Sequence, residues 1–361
     1  MRVLVAGAAL KGTLTCRQAT AAIARGVREA GHEPIALPIA DGGDGSLDAL
    51  SAAGFRRRTV AVRDALGREM SAAFGWSAKG RTAAVELAQA AGLWRVEGTV
   101  RDPWRLSSYG FGELLSAALS LKPQRVLALL GGSATQDAGA GMLQALGARL
   151  SPPPEGLADA AWLERADALD LSAARERLQS VRLSILSDVD HVLSGVGGSA
   201  FAFAPQKGFP REDLPRLDAA IARFGQLLAQ SAGIEVELPG AGAAGGVGAA
   251  LLSLGGQLVP GAAEILDTAG FFARLADVDA VITCEGRADA TTWRGKAPGL
   301  AVREALARGL GAVLLCAQEG PGAHDLPARV VRAEGSPVRA SDLAAAARRA
   351  FDAAPERTDA P

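Results

Sequence analysis

A short glycine-rich segment is the first part of this sequence whose residue types could bind a ligand. Gly131 and Gly132 directly follow an apolar run at residues 126–130, and the hydroxyl-bearing Ser133 and Thr135 come next. Apolar residues at helical spacing follow, which predicts a strand, a tight turn and a helix. Free backbone N–H groups and the helix dipole favour an anion at such a turn. We expect this turn to hold phosphate or carboxylate oxygens at the start of the helix; the alternative is that Ser133 or Thr135 caps that helix.

Carboxylates recur at turn positions along the chain, at Asp41, Asp44, Asp137, Asp188, Asp190, Glu285 and Asp289. A lone aspartate in a turn usually caps a helix or closes an Asx turn, and this is the favoured interpretation of Asp44 and Asp137. Asp188, Glu285 and Asp289 instead follow apolar runs and lie beside small or basic residues. Such groups could hold Mg²⁺ or accept a proton from a hydroxyl.

Two lysines have neighbours that suit contact with an anion. Lys11 and Lys296 are each adjacent to glycine, so a compact positive charge could reach an oxyanion there. A solvated surface lysine is the alternative for Lys296. The P-loop pattern GxxxxGK[ST] does not occur in the sequence, so a bound phosphate would be held in another way.

A second glycine-rich segment, residues 240–245, matches the pattern GxGxxG of dinucleotide-binding proteins. Glu264 lies at about the distance at which such proteins carry an acidic residue. A single match of this kind is weak. The favoured interpretation is a glycine-rich turn that permits close packing or the approach of a ligand.

Composition excludes several classes of function. The chain has 361 residues and a formal net charge of −1, and 49% of its residues are hydrophobic. This length predicts two domains or one large domain with an insertion, and the charge argues against nucleic-acid or membrane-surface binding. The uncharged residues 238–263 contain eight glycines and two prolines, which favours a buried turn and helix over a membrane span. Cys16, Cys284 and Cys316 are too few and too widely spaced for a disulfide framework, so we expect packing residues and a reducing cytoplasm.

The elements that must position these residues form an alternating pattern of strands and helices. We predict a helix over about residues 17–30, stopped by Gly31, and a helix through Leu47 and Leu50. Strands are predicted at residues 3–6, 35–39, 83–87, 125–130, 182–187, 279–283 and 312–316. Most are continuous apolar runs, which is typical of parallel strands buried on both faces. The chain is therefore α/β with largely parallel sheets, and its polar and glycine-rich residues gather at the carboxyl ends of strands, where such sheets bind ligands.

Five ordered segments over residues 1–310 together resemble the bacterial glycerate kinases, which are unrelated to P-loop and protein kinases. These segments are KGTL from Lys11, ADGGDG from Ala40, GGSAT with GAGM from Gly131, FAPQKG from Phe203, and the glycine-rich residues 239–248 followed by EGRAD and GKAP. The resemblance implies two α/β domains with largely parallel sheets, one of them Rossmann-like, and a cleft between them. It places residues 1–75 and 275–361 in one discontinuous domain and residues 76–274 in an inserted domain.

The same resemblance implies ATP-dependent phosphorylation of D-glycerate with Mg²⁺, favouring 2-phosphoglycerate as the product. Lys11 would neutralise charge on the phosphoryl group or the substrate carboxylate. Asp188 would accept or orient the glycerate hydroxyl, with Asp41 as the rival base, and Asp289 and Glu285 would hold the metal. The residues expected to bind substrate or phosphate are Gly42, Gly43, Gly131, Gly132, Ser133, Thr135, Arg287 and Lys296. The oligomeric state stays open, with a homodimer as one option.

Departures from the family pattern keep other functions open. Ala8 stands where the family usually has aspartate, Gln136 where it has asparagine, Phe111 where it has threonine and Thr291 where it has glutamine; His191 and Val192 replace an Asn-Pro pair. Losing a carboxylate could remove a metal or substrate contact. One alternative is therefore a catalytically impaired relative with a ligand-binding or regulatory role, and another is a dinucleotide-dependent oxidoreductase.

Overall fold

The structure is a computed structural model, and it describes residues 1–10, 12–43, 45–96, 98, 102–293, 295–325 and 327–352. The chain divides into two compact units. Unit 1 comprises Met1–Asp41, Asp48–Gly54 and Ala262–Pro361, and unit 2 comprises Gly42–Leu47 and Phe55–Gly261. Among the described residues, every helix is too short or too polar to cross a lipid bilayer.

Unit 1 contains a parallel sheet of five strands. These strands are β1 (Arg2–Ala6), β2 (Glu33–Ala36), β11 (Ala280–Ala288), β12 (Gly311–Glu319) and β13 (Arg329–Arg332). Their order across the sheet is β13-β12-β11-β1-β2, and every neighbouring pair is parallel. The carboxyl ends of all five strands therefore lie along one edge.

Unit 2 contains a mixed sheet of six strands in the order β10-β9-β6-β5-β4-β3. These strands are β3 (Arg56–Arg63), β4 (Glu69–Ser77), β5 (Thr82–Glu86), β6 (Arg125–Leu129), β9 (Arg182–Leu186) and β10 (Gln257–Val259). The four strands from β10 to β5 are parallel, whereas β4 and β3 continue the sheet in antiparallel pairing. A small antiparallel pair is formed by β7 (Arg149–Ser151) and β8 (Ala168–Asp170).

Helices follow most of the strands. In chain order the α-helices are α1 (Cys16–Glu29), α2 (Ser46–Ala52), α3 (Ala88–Ala91), α4 (Leu93–Val96), α5 (Tyr109–Leu119), α6 (Ala140–Ala145), α7 (Ala160–Leu163), α8 (Ser172–Leu178), α9 (Ser199–Phe203), α10 (Leu214–Ala232), α11 (Val247–Ser253), α12 (Gly261–Thr268), α13 (Phe271–Arg274), α14 (Ala297–Leu306) and α15 (Ala340–Asp352). Helix α1 begins with a capping box in which Thr15 and Gln18 bond each other's backbone N–H groups. It ends just before Gly31, which has a φ of +81°, as the sequence predicts.

Both faces of the unit 1 sheet are buried, because neighbouring residues of a strand point to opposite faces. Val3 and Val5 belong to a core that includes residues of α1 and α15. Leu4 and Ala6 belong to a second core that includes residues of α12 and α14. The continuous apolar run of β1 reflects this double burial, and the predicted class of α/β protein with largely parallel sheets is confirmed.

The described structure differs from the sequence analysis at the edge of unit 2. Residues 56–63 and 69–77 form β3 and β4, which were not among the predicted strands and would lie mostly in the discontinuous domain. In the structure both strands hydrogen-bond within the sheet of unit 2. Most of β3 is exposed, so its sequence lacks the apolar run that marks the buried strands. All three cysteines are buried free thiols, as expected for packing residues.

Candidate active site

An ion pair lies at the carboxyl end of the unit 1 sheet. The Lys296 ammonium donates a hydrogen bond to Oε1 of Glu285, a residue of β11. The Glu285 side chain is only 9% exposed, and its Oε2 atom is buried without a hydrogen-bond partner among the described residues. Lys296 is therefore a partly exposed cation paired with a nearly buried carboxylate, and the pair leaves one buried carboxylate oxygen for a further ligand.

Asp289 lies just beyond the end of β11 and is held by two neighbours. Its Oδ1 accepts hydrogen bonds from the Thr291 N–H at 2.8 Å and the Thr291 hydroxyl at 2.6 Å. Its Oδ2 lies 3.3 Å from Nε of Arg287. The Thr291 hydrogen bonds, with smaller contributions from Lys296 and Arg287, lower the pKa of Asp289 below its ordinary value. Asp289 is thus an ionised carboxylate at neutral pH.

The loop after β2 carries Asp41 past the end of the same sheet. Leu37 and Ile39 continue the pairing with β1 by donating to the carbonyls of Val5 and Gly7, both at 2.9 Å. Asp41 follows two residues later and is exposed. Lys11, the sequence-predicted catalytic lysine, lies outside the described residues, as does Asp44.

The glycines after Asp41 belong to unit 2, where Glu86 holds their loop. Glu86 ends β5 and is fully buried. Its Oε1 accepts the Gly45 N–H at 2.8 Å, and its Oε2 accepts the Leu47 N–H at 3.2 Å. Gly42 has a φ of +89°, and a Cβ there would come within 3.3 Å of both Leu186 and Gly261. The loop with Gly42 and Gly43 therefore lies against the carboxyl ends of β5 and β9.

The segment from Gly131 to Thr135 follows β6 at this edge, but it does not open a helix. Helix α6 begins only at Ala140, so the prediction of a turn leading straight into a helix is wrong. The Ser133 hydroxyl lies 3.1 Å from the Thr135 N–H and 3.2 Å from the Thr135 hydroxyl. Both side chains are buried, and neither caps α6. Gly132 is exposed and has a φ of +76°, so the glycine end of the segment is the part open to a ligand.

Asp137 closes the loop that follows these residues. Its carboxylate accepts hydrogen bonds from the N–H and hydroxyl of Ser108, both at 2.7 Å, and from the N–H groups of Gly139 and Gly141, both at 3.2 Å. Burial raises the pKa of Asp137, and these four donors oppose that rise. The interpretation of Asp137 as a capping and turn residue is confirmed.

Asp188 lies two residues beyond the end of β9 and is exposed. Its Oδ1 accepts the N–H of Gly261 at 2.9 Å, at the start of α12. Leu186 pairs in register with Leu129 of β6, so the loops carrying Asp188 and Gly131 leave adjacent strands at the same edge. The structure thus brings together Asp188, Gly42, and the segment from Gly131 to Thr135.

Two residues of this edge were not predicted as site residues, Glu86 and Lys207. The Lys207 ammonium is buried and donates to the Thr135 carbonyl at 2.7 Å. Its signal in the sequence is the FAPQKG segment, which contributes to the family resemblance. The signal for Glu86 is its position at the end of an apolar strand, the same criterion that selects Asp188.

The GxGxxG match at residues 240–245 has no strand before it. Residues 234–239 are all described and irregular, and Ala243–Gly246 forms a 3-10 turn. A Cβ on Gly242 would overlap the Val192 carbonyl, and one on Gly245 would overlap the Thr135 carbonyl. Gly242 thus permits close packing against Val192 and Gly245 against Thr135, which agrees with the favoured interpretation from the sequence.

The described residues contain no cluster of three or more His, Cys, Asp or Glu side chains that could form a metal site. Mg²⁺ in phosphate-transferring sites needs fewer protein ligands, because it keeps several waters and binds one or two carboxylates together with substrate phosphates. The buried, unpartnered Oε2 of Glu285 and the ionised Asp289 are oxygen donors of this kind. The residues present therefore fit a magnesium ion that is completed by phosphate.

In class, the molecule is an α/β protein with polar loops at the carboxyl ends of parallel strands. Comparison with known proteins identifies the class more closely. The model of the glycerate kinase family matches residues 3–355. The chain belongs to the glycerate kinase family.

Individual relatives agree with this assignment. The chain is 36% identical to a glycerate kinase of Halalkalibacterium halodurans over 89% of this chain and 86% of the relative. It is 38% identical to a glycerate kinase of Bacillus subtilis and 35% identical to the glycerate 2-kinase of Escherichia coli, in each case over 82% of this chain and 80% of the relative. A crystal structure from Salmonella typhimurium LT2, of a protein assigned as glycerate kinase 2, matches 97% of both chains with a TM-score of 0.85 and 35% identity.

Proposed function

We propose that this protein phosphorylates D-glycerate with ATP as the phosphoryl donor, with 2-phosphoglycerate as the favoured product. The observation that carries this proposal is the family match over residues 3–355. A relative named as a glycerate 2-kinase supports the choice of the 2-hydroxyl. Phosphoryl transfer depends mainly on positioning and charge neutralisation, so it suits a site made of glycine loops, cations and carboxylates.

The proposed roles divide by chemistry. Lys296 and Arg287 neutralise negative charge on phosphate or on the glycerate carboxylate, and Lys11 is proposed from the sequence for the same task. Gly42, Gly43, Gly131 and Gly132 let oxygens approach backbone N–H groups. Ser133 and Thr135 are buried and bond each other, so their contribution is to shape the loop.

Asp188 is proposed to orient the glycerate hydroxyl and to accept its proton as the phosphoryl group is transferred. It is the exposed carboxylate at the end of β9, and one of its oxygens is fixed by the Gly261 N–H. Asp41 is the rival for this role, because it is also exposed at the end of a strand loop.

Glu285 and Asp289 are proposed to hold Mg²⁺. The ion would neutralise charge on the phosphates of ATP when bound. Lys296 keeps Glu285 in place through the ion pair, and Thr291 orients the Asp289 carboxylate through its two hydrogen bonds.

A catalytically impaired relative is the second candidate, and Ala8 favours it. Ala8 stands where the family usually has aspartate, and it is buried with its carbonyl accepting a hydrogen bond from the Cys284 thiol. Phe111 and Gln136 also differ from the residues usual in the family. Both are fully buried, so these differences change the packing of the interior and do not remove an exposed contact to a ligand.

The test is an assay of ADP release with ATP, Mg²⁺ and D-glycerate, followed by identification of the phosphoglycerate isomer. Glycerate-dependent ADP release establishes the kinase. ATP binding without turnover would favour the impaired relative, and binding of NAD without ATP would favour the oxidoreductase. A cytoplasmic location and a homodimer stay predictions, to be checked by fractionation of the source cells and by light scattering.

A further inference from the structure

Lys207 is a buried cation that the roles above leave unused. It ends a 3-10 turn at Pro205–Lys207 and is 5% exposed. Its Nζ donates to the Thr135 carbonyl at 2.7 Å, across 72 residues of sequence. Burying an ammonium group costs free energy unless hydrogen bonds or an opposite charge offset the loss of hydration. A lysine buried behind a loop is therefore a candidate for a role beyond packing.

The loop that Lys207 contacts is the one proposed to bind phosphate. Thr135 is fully buried, and its N–H faces the Ser133 hydroxyl. Gly132, three residues earlier, is exposed. The loop is therefore open at its glycine end and anchored by the lysine at its buried end.

Burial lowers the pKa of the Lys207 ammonium to about 7, and the attraction of the Asp137 carboxylate opposes this shift. Among the described residues, Asp137 is the charged side chain whose attraction contributes to the pKa of Lys207. Asp137 itself is fully buried and bonded to Ser108, Gly139 and Gly141. The amine thus changes charge near neutral pH while the loop geometry around it is held by other bonds.

We propose that Lys207 is a positioning residue of the phosphate-binding loop, which fixes the Thr135 carbonyl and places a positive charge behind the loop, so that ligand affinity depends on its protonation. This inference rests on the proposed function for the identity of the ligand, ATP. Protonated Lys207 strengthens the attraction for phosphate oxygens at Gly131 and Gly132, and the attraction weakens when the proton is lost.

The test measures KM for ATP and kcat from about pH 6 to about pH 8.5, on either side of the lysine's pKa of about 7. Wild-type KM should rise about tenfold with pH, while kcat changes little because the reacting groups are untouched. Lys207→Arg keeps the charge, so its KM should stay low and follow only the ionisation of ATP itself. Lys207→Met should have a high KM that lacks the wild-type rise.

The matched control is Lys79→Met, which removes an exposed lysine of the same unit and should keep the wild-type profile. A Lys207→Met protein with the wild-type profile, or a wild-type profile identical to that of Lys207→Arg, would overturn the proposal. Thermal melting identifies a variant that fails to fold; if Lys207→Met does so, the comparison of wild type with Lys207→Arg decides.

A failure of the proposed function can be told apart from a failure of this inference. If the protein binds ATP without phosphorylating glycerate, the same pH series is measured by calorimetric titration with ATP and Mg²⁺. A rise in Kd with pH that Lys207→Arg removes supports the role of Lys207 although the kinase assignment falls. Absence of ATP binding at every pH overturns both.

Discussion

The loops at the carboxyl ends of the two sheets are built in different ways. In unit 1 the polar side chains pair with one another, Glu285 with Lys296 and Asp289 with Arg287. In unit 2 they bond mainly to backbone groups, Glu86 to two N–H groups of the Gly42 loop and Lys207 to the Thr135 carbonyl. The sheet edge of unit 1 thus presents charged side chains to a ligand. At the sheet edge of unit 2, the buried charged side chains hold the backbone of the loops in place.

This contrast separates two tasks of an enzyme site. Arg287 is 57% exposed, so this cation can exchange its partner for an incoming phosphate or carboxylate at modest cost. Lys296 is 40% exposed and presents its charge while it stays paired with the nearly buried Glu285. Glu86 and Asp137 are fully buried, and a buried carboxylate without its donors is strongly unfavourable. We therefore expect substitutions at the unit 1 edge to change activity, and those at the buried carboxylates of unit 2 to change stability.

Asp188→Asn tests the exception, an exposed carboxylate of unit 2. We expect kcat to fall about a thousandfold with little change in KM for glycerate, because a proton acceptor is lost. The measurement is kcat across a Mg²⁺ series. If added Mg²⁺ restored the activity, Asp188 would be reassigned to the metal and Asp41 would be left as the base. The control is Asp190→Asn, which removes another exposed carboxylate of the same loop.

Lys296→Met tests the charged edge of unit 1. Removing the cation also leaves Glu285 unpaired, so kcat/KM should fall by about a few hundredfold. The melting temperature should also fall, because Glu285, whose side chain is only 9% exposed, loses the donor to its Oε1 atom. Arg303→Met on α14 is the control for removing a cation, and a similar loss of activity in both variants would contradict a specific role for Lys296.

Asp137→Ala tests the buried carboxylates of unit 2. Four donors lose their acceptor, and we expect the free energy of unfolding to fall by about 3 kcal/mol. Urea denaturation measures this change, with the exposed Asp167→Ala as control. If Asp137→Ala were as stable as the control and simply inactive, the division between a charged edge and a structural edge would be wrong.

Gly132→Val tests the open end of the loop, where the smallest effect is expected. A side chain there should weaken ATP or glycerate binding about tenfold, because it fills the approach to the backbone. Valine also strains a residue with a φ of +76°, so Gly147→Val, exposed in the same unit with a φ of +94°, is the matched control. Equal affinities in the two variants would make the turn purely structural.

Several features of the molecule could be predicted because their signal is local. Continuous apolar runs predict β1, β5, β6, β9, β11 and β12, since a strand buried on both faces needs no polar position. The turn role of Asp137 follows from the capacity of aspartate to bond N–H groups two to four residues ahead. The ordered motifs over residues 1–310 identify the family, because their order and spacing survive where single residues such as Ala8 differ.

Other features depend on contacts that leave no local pattern. Lys207 meets Thr135 across 72 residues, and Glu86 meets Gly45 across 41. The strand β3 is recognised by its pairing with β4, since most of its side chains are exposed. The loop before α6 is held by Asp137, which accepts hydrogen bonds from Ser108, 29 residues earlier, and from Gly139 and Gly141. The sequence by itself determined the class of fold, the family and the residue types at the strand ends. Only the tertiary structure decided which charges pair with each other and which are buried against the backbone, because desolvation and hydrogen bonding depend on neighbours that folding brings together.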